Sequence, residues 1–132
     1  MTEPLRLPGA VVEGMLAHAR ARDPEECVGL VFGREGAATR HVPLTNTAAA
    51  PRTRFFADPT ELLRALIDAD ARGEALLALY HSHPDGPSAP SETDLAHAHY
   101  SALTLIVTLR PEGVRAFWLG EAGLEVRLEV MS

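Results

Sequence analysis

Residues 75–81, Ala-Leu-Leu-Ala-Leu-Tyr-His, constrain this chain more than any other segment. A short apolar run that follows Gly73 and gives way to a proline-rich stretch reads as a buried strand. A second such run, Cys27 to Phe32, ends at Gly33, and residues 38–45 read as its hairpin partner across the Gly36 turn. Around these strands lie two helical patterns. Residues 9–22 place Val12, Met15, Leu16 and Ala19 at helical spacing, and Asp23-Pro24 stops the helix, because the residue before proline is driven out of helical backbone. Asp58-Pro59-Thr60-Glu61 is a helix start, with Asp58 as N-cap, Pro59 first and Glu61 reaching back. Leu62, Leu63, Leu66 and Ile67 are expected on its buried face, and Gly73 ends it.

Between these elements, 46–53 reads as loop and 54–57 as a brief strand. After the proline-rich loop from His83 to Pro90, a helix is expected over 91–101. Strands follow at 103–109, 114–119 and 124–130. The last alternates, with Leu124, Val126, Leu128 and Val130 on one face. Helices interspersed with strands and closed by a hairpin give one α/β domain over residues 1–132, a mixed β-sheet with flanking helices.

Composition narrows the function classes. Apolar residues are 46% of the chain, enough for a packed core, and no run nears the roughly 18 residues that span a bilayer. The start, Met-Thr-Glu-Pro-Leu-Arg, lacks the hydrophobic region of a signal peptide. The lone Cys27 can form neither an internal disulfide nor a thiolate cluster for zinc. These features place the chain in the cytoplasm, off the membrane. A net charge of −6 argues against nucleic acid as partner. All 12 basic residues are arginine, which a GC-rich genome explains; an enzyme that cuts lysine isopeptides would also escape modification of its own side chains.

His81 and His83 stand two apart where the 75–81 strand runs out, so both imidazoles can share one side of the backbone. His-x-His alone is weak evidence, because imidazoles are common at surfaces and in satisfied cores. Asp94, eleven residues beyond His83 and three beyond the capping Ser91, completes two histidines and a carboxylate, a catalytic zinc set with one open position. A first helical turn also keeps Asp94 ionised through the helix dipole. Ser91-x-x-Asp94 is equally a helix-start motif, and the two roles are compatible. Other His-x-His sites lose on particular residues. Gly86 stands where a metallo-β-lactamase needs histidine, Pro87 and Ser88 where a cupin needs glutamate, and a nucleobase deaminase needs more cysteines.

His81-Ser82-His83-Pro84 followed by Pro90-Ser91-x-x-Asp94 resembles the signature of the JAMM (MPN-plus, JAB-domain) zinc metalloproteases, compact bacterial and archaeal type. That signature also has an upstream Pro-x-Glu-x-x-Gly, and Pro24-Glu25-Glu26-Cys27-Val28-Gly29 matches it with Glu26 in register. The resemblance covers nearly the whole chain and implies an MPN (JAB) fold. It implies Zn²⁺ on His81, His83 and Asp94, Glu26 as general acid/base, and Ser91 stabilising the oxyanion, with Ser82 and Pro84 supporting the loop. It further implies a ubiquitin-like or sulfur-carrier protein tail as substrate. Two alternatives remain, a zinc amidohydrolase acting on a small amide and a non-catalytic MPN scaffold.

Other residues take plainer roles. His97 and His99 point to different helix faces, and His18 and His41 lack ligand-spaced partners. Cys27 reads as core, and Phe55, Phe56 and Trp118 as core or groove walls. The segment from Thr47 to Phe56, carrying Arg52 and Arg54, is expected to dock an extended substrate tail by strand addition.

Overall fold

The computed structural model describes residues 3–91, 94, 103–121 and 123–132. Eight strands, β1 (Leu5–Pro8), β2 (Val28–Arg34), β3 (Ala37–Leu44), β4 (Ala75–Ser82), β5 (Leu103–Leu109), β6 (Glu112–Trp118), β7 (Leu124–Val126) and β8 (Leu128–Met131), form one sheet in the order β7-β6-β5-β4-β2-β3-β1-β8. It is mixed: β4 runs parallel to β5 and antiparallel to β2, while β1 runs parallel to both β3 and β8. The expected α/β architecture is present.

The central strands are apolar throughout because each sheet face is covered by a helix. Helix α1 (Gly9–Arg22) buries Val11, Met15, Leu16 and Ala19 against Leu5, Leu7, Val31, Tyr80, Leu105 and Val107. Helix α2 (Pro59–Ala71) covers the other face, over Val28, Leu30, Phe32, Leu44 and Leu79. Gly29 is required beneath α1, since a Cβ there would come 2.3 Å from the Tyr80 ring. Among the described residues no helix is long and apolar enough to cross a membrane.

Several expectations need correction. Strand β1 was not anticipated; its four residues gain order from pairing with β8, Leu5↔Leu128 to Pro8↔Met131. Residues 54–57 form no strand, only an isolated bridge between Asn46 and Ala57. The 124–130 segment breaks at Arg127 into β7 and β8 at opposite edges of the sheet, so Val126 is buried while Leu124 and Val130 are exposed. In α2 the helix faces the sheet with Ala65 and Ala69, and Leu63 and Ile67 stand 59% and 61% exposed. Small residues let α2 approach closely, leaving Leu62 and Leu66 at its flank, partly buried. Asp58 caps α2 as expected, accepting from the Thr60 and Glu61 amides at 3.0 and 3.1 Å. Glu61 does not reach back to close a capping box; its carboxylate accepts from the Thr45 amide and hydroxyl at 2.6 and 2.8 Å. Apart from Asp94, which is helical, the 92–101 part of the expected helix, His97 and His99 included, lies outside the described residues.

Candidate functional site

Strand register brings the site together. In the antiparallel β2–β4 pair, Val28 stands opposite His81, so the chain just before β2 runs beside the chain just after β4. The junction is locked: the Cys27 amide donates to Ser82 Oγ at 2.7 Å, and the Ser82 amide to the Cys27 carbonyl at 3.1 Å. Glu26 is thereby held against His81 and His83, although 55 residues separate Cys27 from Ser82. His83 has left the β4 ladder, yet its amide still donates to the Val107 carbonyl of β5 at 2.9 Å.

Glu26, His81 and His83 are all buried, and one donor atom of each lies within 4.8 Å of the others. Asp94 closes on the same point from the far side of the loop. Its Oδ2 is 3.2 Å from His81 Nε2 and 3.4 Å from His83 Nε2. Ser91 and Asp94 cap one another: the Ser91 amide donates to Asp94 Oδ2 at 2.8 Å, and the Asp94 amide to Ser91 Oγ at 3.0 Å. The two bonds hold Ser91 and Asp94 together and aim the Asp94 carboxylate at the histidines. His83 Nδ1 meets the Pro87 carbonyl at 2.9 Å, which leaves Nε2 facing inward. His81 is wholly buried beneath Phe55, whose ring stacks on it at 4.2 Å, and its Nδ1 finds no partner among the described residues.

The electrostatics divide the two carboxyl groups. Burial pushes Glu26 up to about 7; His83 pulls against that rise and Asp94 adds to it. Asp94 is also penalised by burial, but hydrogen bonds from His81 and His83 outweigh the penalty and hold it far below the usual carboxylate range. Burial lowers His81, Asp94 opposing. His83 is lowered by burial too, but its bonds to Asp94 and Pro87 and the nearby Glu26 charge leave it raised.

The structure gathers Glu26, His81, His83, Ser91 and Asp94 at one point, all five residues expected from sequence. Sequence reasoning missed the stacking of Phe55 on His81 and the bond from Asn46 Nδ2 to the Glu26 carbonyl at 2.9 Å. Asn46 carried a faint signal, an amide side chain at a strand end before a proline-containing loop. Cys27 is a buried thiol pushed up to about 11 by burial, in keeping with a core role. Phe56 is 58% exposed and belongs to no core cluster.

A family model described as prokaryotic homologs of the JAB domain matches residues 8–120. The chain is 42% identical over 127 residues to a probable TtuB-protein conjugate cleaving protease of Thermus thermophilus, covering 96% of this chain and 83% of that one. It is 39% identical over 100 residues to a CysO-cysteine peptidase of Mycobacterium tuberculosis, covering 68% of this chain and 66% of that one. Among solved structures, that of protein DSY2949 from Desulfitobacterium hafniense superimposes with a TM-score of 0.86 at 33% identity, over 96% of this chain and 92% of that one. The match spans the glutamate, the two histidines, the serine and the aspartate, and the chain belongs to the family of prokaryotic JAB-domain proteins.

Proposed function

We propose that this chain is a zinc peptidase in which His81, His83 and Asp94 hold the ion, Glu26 moves the proton and Ser91 steadies the oxyanion. The observation that carries the reading is the convergence of Asp94 Oδ2 on His81 Nε2 and His83 Nε2, 3.2 and 3.4 Å away, with the buried Glu26 carboxylate within 4.8 Å of the same two imidazoles. The metal-free site also treats the two carboxyl groups oppositely, holding Asp94 low and raising Glu26. A ligand must be ionised, whereas a general base works best with a pKa near the working pH.

Donor spacing supports the metal assignment. Tetrahedral zinc with bonds of about 2.0–2.1 Å separates neighbouring donors by about 3.3–3.4 Å. The His–Asp separations of 3.2 and 3.4 Å are of that size. Two histidines and one carboxylate leave one position open, the arrangement of catalytic rather than structural zinc. Zinc bound there supplies Lewis acidity that brings the pKa of water toward about 7.

The chain's own residues do the rest. Glu26 takes a proton from the attacking water and returns it to the departing amine, a service worth roughly 10²–10⁴-fold in rate. Ser91 Oγ accepts from the Asp94 amide, and a hydroxyl that accepts one bond can still donate its hydrogen, here to the developing oxyanion. Phe55 stacked over His81 keeps water from that side of the site.

The substrate is a protein tail of the ubiquitin-like, sulfur-carrier kind. The Thermus and Mycobacterium relatives are named for cutting a TtuB-protein conjugate and a CysO-cysteine bond, and those names support a carrier tail here. Zinc-loaded protein incubated with carrier–cysteine and carrier–lysine conjugates, and in parallel with small amides, is the direct test. Mass spectrometry should find carrier released with its tail intact; hydrolysis of small amides alone would overturn the substrate. Glu26→Gln should lose at least 10²-fold in kcat with zinc retained, and Glu25→Gln should lose little. Full activity in Glu26→Gln would end the mechanism.

A further inference from the structure

The backbone of Glu26 is not held by the sheet. Strand β2 begins two residues later, at Val28. The Glu26 amide donates instead to the Pro51 carbonyl at 2.7 Å, and its carbonyl accepts from Asn46 Nδ2 at 2.9 Å. Both backbone groups of Glu26 are thus fixed by the loop between β3 and α2.

Asn46 organises that loop. Its Nδ2 also donates to the Arg54 carbonyl at 3.0 Å, and its Oδ1 accepts from the amides of Ala48 and Phe56, each at 3.0 Å. Two donor and two acceptor bonds fill the capacity of an amide group, so the side chain has one orientation and ties four backbone positions together. The clamped segment includes Phe55, the ring stacked on His81. One side chain outside the histidine–aspartate motif thereby sets the backbone of Glu26 and steadies the lid over a histidine.

We propose that Asn46 is a positioning residue for Glu26, fixing where the carboxylate stands by clamping the 46–57 loop across the start of β2. The proposal rests on the reading of Glu26 as general base. Its placement matters because proton transfer demands a heavy-atom approach of about 2.6–3.2 Å, and a shift of about 1 Å at a reacting group can lower a rate about 10²-fold. No bond from Asn46 reaches His81, His83 or Asp94, so the metal set should survive its loss.

The test is a double-mutant cycle with a second, activity-free readout. Asn46→Ala should lower kcat about 10–100-fold, change KM less than threefold, and bind zinc as the wild type does. In a Glu26→Gln background the same substitution should change kcat less than about twofold, because the group it positions is gone. In metal-free protein, the Glu26 amide should exchange hydrogen at least tenfold faster in Asn46→Ala, with the Leu30 amide in β2 unchanged. Asn46→Asp keeps the shape and both acceptors but removes both donors, and should behave alike if the bond to the Glu26 carbonyl is what matters. Losses that multiply across the cycle, an unchanged Glu26 amide, or unfolding of both Asn46 variants would overturn the proposal, the last by making Asn46 a fold determinant. Full activity in Glu26→Gln would instead overturn the general-base reading and, with it, this role for Asn46; a Glu26→Gln defect with unimpaired Asn46→Ala would overturn the positioning role alone.

Discussion

Glu26→Gln should stabilise the metal-free protein while it lowers kcat at least 10²-fold, and the site sets the size of the gain. Burial raises the Glu26 carboxyl from 4.5 to about 7, His83 pulling it back and Asp94 adding to the rise. Below pH 4.5 the carboxyl is protonated in folded and unfolded chains alike and makes no difference to stability. Between 4.5 and about 7 the unfolded chain releases a proton that the folded chain keeps. Stability therefore falls as pH rises, by about 1.36 kcal/mol per pH unit, and the loss levels off near 3 kcal/mol above about pH 7. Glutamine has the same shape and no proton to lose. Part of that proton's affinity is shared with His83, so a gain of about 2–3 kcal/mol at pH 8 is expected, and under about 1 kcal/mol at pH 5. Urea unfolding of chelator-treated wild type and variant at the two pH values measures it. Equal stability at pH 8, or a gain that does not grow with pH, would refute the reasoning. Zinc should narrow the difference, since a nearby cation favours the ionised glutamate.

Three further outcomes are expected. The wild type should bind one zinc per chain by elemental analysis, and a His81→Ala/His83→Ala variant should bind none; a full complement in the variant would dismiss these ligands. Arg52→Ala/Arg54→Ala should raise KM for an acidic-tailed protein substrate severalfold with kcat unchanged, since both residues are exposed on the loop beside the site. Point changes are preferred to loop deletion there, because the Pro51 carbonyl holds Glu26. His18 is lowered to about 4 by burial, then by Arg22 and His41, so its contribution is present above pH 6.5 and lost as pH falls toward 4. His18→Gln should therefore lose less melting temperature than wild type between pH 7 and 4.5, and a parallel decline would remove His18 as an acid-sensitive element.

What could be read from the chain followed from how local its cause was. Strands β2 and β4 declare themselves because burial between two helices demands an apolar run, whatever else the fold does. The cap at Asp58 and the stop at Asp23-Pro24 are written within a few residues. Strand β1 could not be read, because four residues form a strand only when β8, at the far end of the sequence, lies beside them. The face of α2 was misjudged because leucine spacing says which residues are apolar, while the sheet admitted Ala65 and Ala69 closest and left Leu63 and Ile67 outside. The break at Arg127 is likewise a tertiary choice: an unbroken alternation was divided between two edges of one sheet.

The site divides along the same line. His81, His83, Ser91 and Asp94 fall within 14 residues, at and just beyond the end of one strand, so their nearness is local in the chain. Glu26 is different, since no local pattern ties residue 26 to residue 81. The Val28↔His81 register and the two hydrogen bonds between Cys27 and Ser82 produce it. A one-residue slip of that register would turn Glu26 away from the two histidines and bring Glu25 or Cys27 toward them. The Ser82 hydroxyl therefore has a task at a distance from the chemistry. Its bond to the Cys27 amide fixes the register at the end of the ladder, where β2 has no further partner residues to do so. The serine between the two histidines and the asparagine at the end of β3 act on the same glutamate from opposite sides, one setting which residue faces the histidines and the other how closely it stands.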